Sequence, residues 1–450
     1  MNQSKANVES NSKVDPLEFF TPNRFDLIFK LIFGEAIVRG SNSSYPREIY
    51  KKHLFSVTGK NGKFIEYGNL PKKAGLDQFV QTFRSLLSGE VESFPPVQID
   101  SNFCLNNGAH RVVAAYLHHK LISVQVEKKS RNIKADYSFF LRANRYRYRI
   151  KQEDIDYGLL RFATIDPRTQ ILVVFPSMRS KALIKELRSQ KSFYLERKFR
   201  LNPIAKRKLL DILYPKASNF VNLNSENNQN AFRDRFNAPG KLRVFFFENN
   251  DVNFVLNLKE SLRKKFHLLN GTIHSPDDFY EYSHLLQILL VKNSRKNLHR
   301  INLQYAQQMS ERMEILQSFA SDSLVVGSGT LALLGVRESR DLDLVFYENS
   351  IPKKNSSVDI HNSYWRTKGF NVDELIDNPK DFVLVLGVKY ISLTKLVRFK
   401  LNRRERKDAI DILLLFRGKI KSISLLLIIV RHAFTGYLRL IRNRFRNPAK

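Results

Sequence analysis

Cysteine and long apolar runs are nearly absent from this chain of 450 residues. The single cysteine, Cys104, excludes an intrachain disulfide and any zinc site built from several thiolates. No uninterrupted apolar run exceeds six residues, as at residues 425–430, whereas a membrane-spanning helix needs about 20. The polar first 16 residues also lack the apolar segment of a secretory signal. These absences predict a protein of a reducing compartment, and we expect it in the cytoplasm.

Acidic residues are scarce relative to basic ones. Lys and Arg number 75 against 43 Asp and Glu, which gives a formal net charge of +32. Such a surplus predicts a polyanionic neighbour, and charge alone does not distinguish nucleic acid, a nucleotide and an anionic membrane face. Hydrophobic residues nevertheless make up 43% of the chain, so we expect most of it to fold.

The order of apolar and polar segments predicts a multidomain protein with α/β and α+β domains. The expected parts are a disordered tail over residues 1–20, a first α/β domain over 21–130, a central α/β domain over 135–300, a third α/β domain over 301–417 and a basic amphipathic helix over 418–450. In residues 135–150, apolar and polar side chains alternate, a pattern that predicts strands. The C-terminal helix is expected to lie on an anionic membrane surface, along nucleic acid or against the preceding domain.

The strongest motif lies in residues 324–346, which read as an apolar strand, a Gly-Ser-Gly turn, a helix and a strand with alternating acids. Asp341 and Asp343 are two residues apart, a spacing that turns both carboxylates to one face of a strand. Because neighbouring carboxylates repel each other without a cation, they predict a divalent metal site. Backbone N–H groups at Gly327 and Ser328 can bind phosphate oxygens. The alternative is an edge strand with two solvated acids and an ordinary turn.

This segment resembles the nucleotidyltransferase fold shared by DNA polymerase beta, poly(A) polymerases and small antibiotic nucleotidyltransferases. The resemblance covers residues 324–417 and implies that the two aspartates bind Mg²⁺ and that a third acid, best assigned to Asp359, completes the catalytic site. It also implies that Gly327 and Ser328 hold a nucleoside triphosphate, either ATP or CTP. Further phosphate contacts are expected from Lys400, Arg404 and Lys407. Inactive copies of such folds exist, so catalysis is a separate prediction.

A second motif stands at the predicted start of an apolar helix, where Gly108, His110 and Arg111 favour an anion. Residues 94–126 resemble the ParB and sulfiredoxin fold, whose G-x-H-R or G-x-R-R motif binds nucleotide phosphates. We therefore expect these three residues to bind a phosphate-bearing ligand. Sulfiredoxin chemistry needs a cysteine in place of Ala109, so that redox reaction is not expected. The alternative is a capping or core histidine beside a solvated arginine.

The middle of the chain carries two pairs of polar residues at helical spacing. His274 and Asp278, and likewise Tyr280 and His284, are four residues apart and suggest a metal site. We favour the alternative that they are the polar faces of two amphipathic helices. The order of motifs along most of the chain resembles an uncharacterised bacterial family associated with surface-polysaccharide biosynthesis.

These motifs predict a magnesium-dependent transferase that moves a nucleotidyl or phosphoryl group to a small molecule, such as a sugar or sugar phosphate in surface-glycan biosynthesis. The expected partner is a phosphate-bearing substrate, with a peripheral contact of the C-terminal helix to the inner membrane face. A non-catalytic, ParB-like nucleic-acid-binding protein is one alternative, and a membrane-surface scaffold is another. Steep loss of affinity with added salt would indicate the nucleic-acid binder.

Overall fold

The chain forms two compact units, Met1–Val291 (unit 1) and Lys292–Lys450 (unit 2). The structure is a computed structural model that describes residues 12–58, 76–89, 91–128, 134–142, 150–176, 180–213, 239–268, 272–315, 322–339, 341–352 and 358–416. Helices and small sheets alternate in both units, which confirms the mixed α/β class. The finer domain boundaries stay predictions, and the basic helix expected over 418–450 lies outside the described residues.

The first sheet of unit 1 has the strand order β1-β4-β2-β3. Its elements are β1 (Lys13–Val14), β2 (Val97–Ile99), β3 (Leu105–Asn107), α4 (Ala109–Leu117) and β4 (Ile122–Val126). Strands β2 and β4 are parallel, with Val97 opposite Val124, and α4 lies between them in the chain. These strands and α4 form a compact strand, helix and strand unit, which agrees with the α/β character predicted for this region.

Helix α1 (Asp26–Val38) lies in the interior of unit 1. All of its residues from 26 to 34 are buried, including both charged ones. A helix that is apolar on nearly every side requires neighbours all round. The neighbours that contact it are α2 (Ser44–Thr58), α3 (Leu76–Ser88), α4 and α6 (Gln152–Ile165).

The disordered tail predicted over residues 1–20 is wrong for residues 12–20. Val14 of β1 pairs with Ile122 of β4, and Phe19 and Phe20 are almost completely buried. Phe19 stacks on Phe103, and Phe20 packs against Tyr116 of α4, so burial of these rings outweighs the polar beginning of the segment.

The strands predicted over residues 135–150 are also wrong where the structure describes them. Residues Tyr137–Arg142 form helix α5. The rings of Tyr137 and Phe140 pack against Phe25, with centroids 5.7 and 6.1 Å away. Tertiary packing of aromatic side chains overrides the local alternation.

The second sheet of unit 1 is antiparallel and has the strand order β6-β7-β5-β8. Its strands are β5 (Thr169–Val174), β6 (Phe193–Phe199), β7 (Leu242–Glu248) and β8 (Ile273–His274). The helices in this part are α7 (Lys181–Ser189), α8 (Pro203–Leu213), α9 (Phe254–Phe266) and α10 (Phe279–Leu290). Helices α7 and α9 share one hydrophobic core with β5 and β7, formed by residues such as Leu172, Val174, Leu183, Phe245, Phe247 and Leu262.

Unit 2 is built on a five-stranded sheet of order β11-β10-β9-β13-β12. The strands are β9 (Ser323–Val325), β10 (Asp343–Phe346), β11 (Asp359–Ile360), β12 (Phe382–Val385) and β13 (Val388–Ile391). The helices are α11 (Lys292–Asn297), α12 (Leu303–Ile315), α13 (Ser328–Leu333), α14 (Asn362–Thr367), α15 (Val372–Asp377), α16 (Leu393–Arg403) and α17 (Arg406–Phe416). Leu342 and Leu344 are buried, as expected for the apolar positions around the acids.

None of the helices in the described ranges is long and apolar enough to cross a membrane. The longest of them, α2, has 15 residues and carries several charged side chains. The cytoplasmic location stays a prediction.

Candidate metal centre

A glycine turn leads from β9 to α13 and approaches the carboxylate of Asp343. Gly327 has φ +62°, in the left-handed region that favours glycine. A Cβ atom at residue 327 would overlap with Oδ2 of Asp343, so a larger residue would displace this carboxylate. The backbone N–H of Ser328 donates a hydrogen bond to Asp343. The Gly-Ser turn therefore positions the aspartate, and phosphate binding by Gly327 and Ser328 stays a prediction.

Three metal-ligating side chains converge where β10 and β11 begin. These strands are parallel, and Asp343 lies directly opposite Asp359. The backbone N–H of His361 donates a 2.8 Å hydrogen bond to the carbonyl oxygen of Leu344, which holds His361 beside β10. Its ring Nε2 lies 3.0 Å from Oδ1 of Asp343. Ligand atoms of Asp343, Asp359 and His361 all lie within 4.8 Å of one another.

Asp343 and His361 stabilise each other's charged forms. Burial by itself would raise the pKa of Asp343, but the hydrogen bond and charge of His361 hold this pKa below its usual value. The hydrogen bond to Asp343 raises the pKa of His361, against the opposing effect of burial. The two side chains are 21% and 33% exposed. An ionised carboxylate is therefore accessible to a cation from solvent.

A guanidinium group and an aromatic ring lie beside the three ligands. The charge of Arg403 lowers the pKa of both Asp343 and His361. Arg403 is held by Asp408, with Nε 2.7 Å from Oδ2. The ring centroid of Tyr364 lies 6.4 Å from that of His361. Neither Arg403 nor Tyr364 was predicted from the sequence. Arg403 is one of several basic residues in α16, and Tyr364 belongs to the short helix α14, so no sequence pattern distinguished them.

Asp341 is not part of this cluster of three, and its role as a metal ligand beside Asp343 stays a prediction. Strand β10 begins at Asp343, so Asp341 precedes it and is exposed. The backbone carbonyl of Asp341 accepts a 2.8 Å hydrogen bond from the hydroxyl of Ser339. The prediction that both aspartates project from one strand fails because strand pairing starts two residues later. His361 joins the cluster instead, and its i, i+2 spacing from Asp359 was the available signal.

The three basic residues expected to bind phosphate have different environments. Lys400 is 3% exposed, and its Nζ lies 2.7 Å from Asp411 and 3.2 Å from Asp408. Lys400 therefore does not present its charge to a ligand, which corrects its predicted role. Arg404 ends α16 with φ +61° and is exposed, and the side chain of Lys407 is 65% exposed. Phosphate contact by these two residues stays a prediction.

Gly108, His110 and Arg111 lie at the start of α4, where the sequence analysis placed them. Gly108 precedes the helix with φ +100°. The ring Nε2 of His110 is 2.7 Å from the hydroxyl of Tyr50, and burial lowers the pKa of His110 to about 3, so its ring is neutral. Arg111 donates a 2.7 Å hydrogen bond to the carbonyl oxygen of Pro96. These contacts suit the alternative of a structural motif, and phosphate binding stays a prediction.

A buried charge cluster around α1 was not predicted from the sequence. The carboxylate of Asp26 is fully buried and accepts 2.8 Å hydrogen bonds from Arg24 Nε and Lys30 Nζ. Lys30 Nζ also lies 3.5 Å from Nε2 of His53. Burial and the nearby Lys30 lower the pKa of His53 well below its usual value. The available signal was an Asp and a Lys four residues apart within the otherwise apolar stretch of residues 25–33.

The polar residues at 274–284 do not gather as a metal site. His274 ends β8, whereas Asp278 caps α10 and accepts a 2.8 Å hydrogen bond from the backbone N–H of Glu281. Nε2 of His274 lies 2.7 Å from Oε1 of Glu281. Tyr280 and His284 are neighbours on α10, with ring centroids 6.4 Å apart. Among the described residues of this segment, no group of three ligating side chains forms. The alternative of polar helix faces fits Tyr280 and His284 on α10, whereas His274 is a buried strand residue.

No protein-family model, curated protein or solved structure matches the chain. The resemblances to nucleotidyltransferases, to the ParB and sulfiredoxin fold and to the surface-polysaccharide family therefore stay predictions that depend on the motifs themselves. The arrangement of Asp343, Asp359 and His361 is the observation from which we infer a function.

Proposed function

We propose that unit 2 binds a divalent metal ion through Asp343, Asp359 and His361 and transfers a nucleotidyl or phosphoryl group to a small molecule. The convergence of three ligand atoms within 4.8 Å carries this proposal. The strand, glycine turn and acidic strand of residues 323–346 support the same chemistry through their resemblance to nucleotidyltransferases. We infer a sugar or sugar phosphate as the acceptor from the resemblance to the surface-polysaccharide family.

The side chains present fit a divalent cation. Two carboxylates supply the oxygen ligands that Mg²⁺ and Mn²⁺ prefer. The imidazole of His361 would bind the metal in its neutral form, after release of the proton that it shares with Asp343, and would extend the preference toward Mn²⁺. Glycine at 327 leaves room for the carboxylate of Asp343 to stay in this position. A bound metal would neutralise phosphate oxygens and polarise the phosphorus centre.

The protein's own groups would bind and orient the substrate. Asp343 is held from two sides, by the ring of His361 and by the backbone N–H of Ser328. Arg403 adds positive charge near Asp343 and His361, and Asp408 holds its guanidinium group in place. Phosphoryl chemistry needs little from the protein beyond such positioning and charge neutralisation.

Metal binding by single variants tests this proposal. We would titrate the full chain with Mn²⁺ by electron paramagnetic resonance and then measure ATP and CTP binding by calorimetry with and without the metal. Asp343→Asn is expected to weaken Mn²⁺ binding by about 100-fold, because it removes a charged ligand at the centre of the cluster. Glu338→Gln, an exposed acid just before β10, is the matched control and is expected to change it less than about threefold.

The Asp341→Asn variant distinguishes a metal site completed by His361 from one completed by Asp341. Asp341→Asn should behave like the control if His361 completes the site, and like Asp343→Asn if the sequence motif describes the ligands correctly. Absence of Mn²⁺ binding by the unaltered protein, or binding that Asp343→Asn leaves unchanged, would refute the metal centre. Metal binding without any metal-dependent nucleotide affinity would refute the transferase.

Gly327→Ala provides an independent prediction for the same site. A new Cβ atom must push the carboxylate of Asp343 aside, so we expect Mn²⁺ affinity to fall at least about tenfold. Backbone strain at positive φ is expected to lower the free energy of unfolding of unit 2 by about 1–3 kcal/mol. Urea unfolding followed by the fluorescence of the single tryptophan, Trp365, measures this stability.

Gly387→Ala is the matched control for backbone strain. Gly387 has φ +81°, and a Cβ atom there would meet nothing within 4 Å. We expect a comparable loss of stability with unchanged Mn²⁺ affinity. Equal Mn²⁺ affinities in the two variants would show that the turn does not position a metal ligand.

A further inference from the structure

Unit 1 contains a groove of about 700 Å³ whose lining is dominated by cations. It lies beside the second sheet, between α7 and the ends of β6 and β7. The basic residues that line it are Lys181, Lys185, Arg188, Lys198, Lys241 and Arg243. Among the described residues, no acidic side chain lines this groove. None of its lining residues belongs to the motif of Gly108, His110 and Arg111 or to the metal centre of unit 2.

Helix α7 supplies three of these cations from one side. Lys181, Lys185 and Arg188 recur at intervals of four and three residues, so they lie along one face of the helix. All three are exposed. The apolar residues Leu183 and Leu187 are fully buried in the core that α7 shares with the sheet. Because the apolar face of α7 is buried, its basic face must point away from the core and toward the groove.

Strands β6 and β7 supply two further cations from the sheet. Lys198 and Arg243 are cross-strand partners, a pairing of like charges that is unfavourable. Arg243 lies two residues before Phe245, so both project from the face that α7 covers. Cationic side chains therefore lie on the same face of the sheet as the apolar core, at its edge.

One carboxylate, Glu196, compensates part of this charge. Its Oε1 lies 2.7 Å from Arg243 Nη1 and 3.6 Å from Lys198 Nζ, and its Oε2 lies 3.0 Å from Arg188 Nε. Burial alone would raise the pKa of Glu196, but Arg188 and Arg243 hold it below its usual value. Six cations against one carboxylate leave a strong excess of positive charge.

We propose that this groove binds a small anion that carries several phosphate groups. The repulsion between cations that converge from a helix and two strands decreases when a multivalent anion lies among them. The volume lies in the range of small-molecule sites. Single-stranded nucleic acid is usually bound with aromatic side chains that stack on its bases, whereas the apolar lining here consists of Pro176 and Ile184. The groove therefore suits a phosphate chain rather than a base.

Calorimetric titration of the full chain with inorganic tripolyphosphate tests the proposal. Divalent cations are removed with a chelator, so that the metal centre of unit 2 does not contribute. The test variant replaces three exposed groove lysines together, Lys181→Gln, Lys185→Gln and Lys241→Gln. The control variant removes the same charge outside the groove through Lys151→Gln, Lys208→Gln and Lys264→Gln. Circular dichroism confirms that both variants fold.

We expect saturable 1:1 binding that weakens at least about 30-fold in the test variant and less than about threefold in the control. Added salt should weaken it further. ATP is expected to bind with similar affinity, because it shares the phosphate chain. Absence of 1:1 binding, or equal weakening in both variants, would overturn the proposal. A 20-nucleotide single strand that binds far more tightly through the same lysines would overturn it in favour of a nucleic-acid site.

Discussion

Replacing Asp26 by asparagine is expected to lower the free energy of unfolding of unit 1 by about 3–5 kcal/mol. The carboxylate is fully buried and accepts hydrogen bonds from Arg24 and Lys30. Both cations are themselves almost completely buried. Asparagine keeps the size of the side chain but leaves two positive charges in the interior without their shared counter-ion. Removing one partner of such a network is costly, because the remaining charges cannot regain their hydration.

The same substitution should change the pH dependence of stability. Burial by itself would raise the pKa of Asp26, but Arg24 and Lys30 lower it far below the usual value of 3.8. The unfolded chain takes up a proton at Asp26 near pH 4 while the folded chain does not. The stabilisation is therefore complete above about pH 4 and decreases as the pH falls below it. In the Asp26→Asn variant, the free energy of unfolding should therefore fall less steeply below pH 4 than in the unaltered protein.

Hydrogen exchange measured by mass spectrometry resolves the effect within the full chain. We expect faster exchange in α1 and α2 of the variant, while the fluorescence of Trp365 reports unchanged stability of unit 2. Asp277→Asn is the matched control because Asp277 is exposed, and it should alter stability by less than about 0.5 kcal/mol. Unchanged exchange in α1 of the Asp26 variant would show that the buried network is not formed.

Replacing Lys400 by methionine is expected to destabilise unit 2 by about 3 kcal/mol. Lys400 shares Asp408 with Arg403 and Asp411 with Arg337. Methionine fills the space of the lysine stem but leaves two buried carboxylates with one cation each. Burial by itself would raise the pKa of Asp411, and hydrogen bonds from Arg337 and Lys400 hold it below its usual value. The lysine therefore stabilises an ionised carboxylate in the interior.

Trp365 is a direct probe of this region. Its ring stacks on that of Phe399 at 3.8 Å, and Phe399 precedes Lys400 in α16. Urea unfolding followed by tryptophan fluorescence should show the loss of stability. Lys407→Met, the same substitution at an exposed position, should change it by less than about 0.5 kcal/mol. Normal stability combined with lost ATP affinity in Lys400→Met would instead assign Lys400 to phosphate binding, as the sequence suggested.

The sequence predicted part of the candidate metal centre because that part follows local rules. Apolar residues flank Asp343, and a glycine turn precedes it. This pattern predicts a strand whose apolar side chains enter the core while the carboxylate of Asp343 points away from it. Asp359 was also predicted, since apolar neighbours placed it on a strand. His361 was missed because its ring reaches Asp343 only through the parallel pairing of β10 with β11. Residues 347–358 separate the two strands in the sequence, and they contain no periodic pattern that would predict this pairing.

The predictions that failed have the same cause, because they relied on local pattern where tertiary contacts decide the structure. Residues 137–142 have the alternation of a strand, yet their aromatic rings pack around Phe25 as a helix. Lys400 has the charge of a phosphate ligand, yet it is buried and pairs with Asp408 and Asp411 of the following helix, α17. In both cases, contacts with distant side chains outweigh the local preference.

The sequence by itself determined the charge of the molecule, the lack of disulfides, the mixed α/β class and the glycine turn before Asp343. Each of these depends on composition or on a period within one element, which needs no knowledge of neighbours. Only the tertiary structure decided that Asp26 and Lys30 share the interior with His53, and that the cations of α7, β6 and β7 line one groove. Such clusters join residues that lie far apart in the chain, and the free energy of packing, rather than local propensity, selects which elements meet.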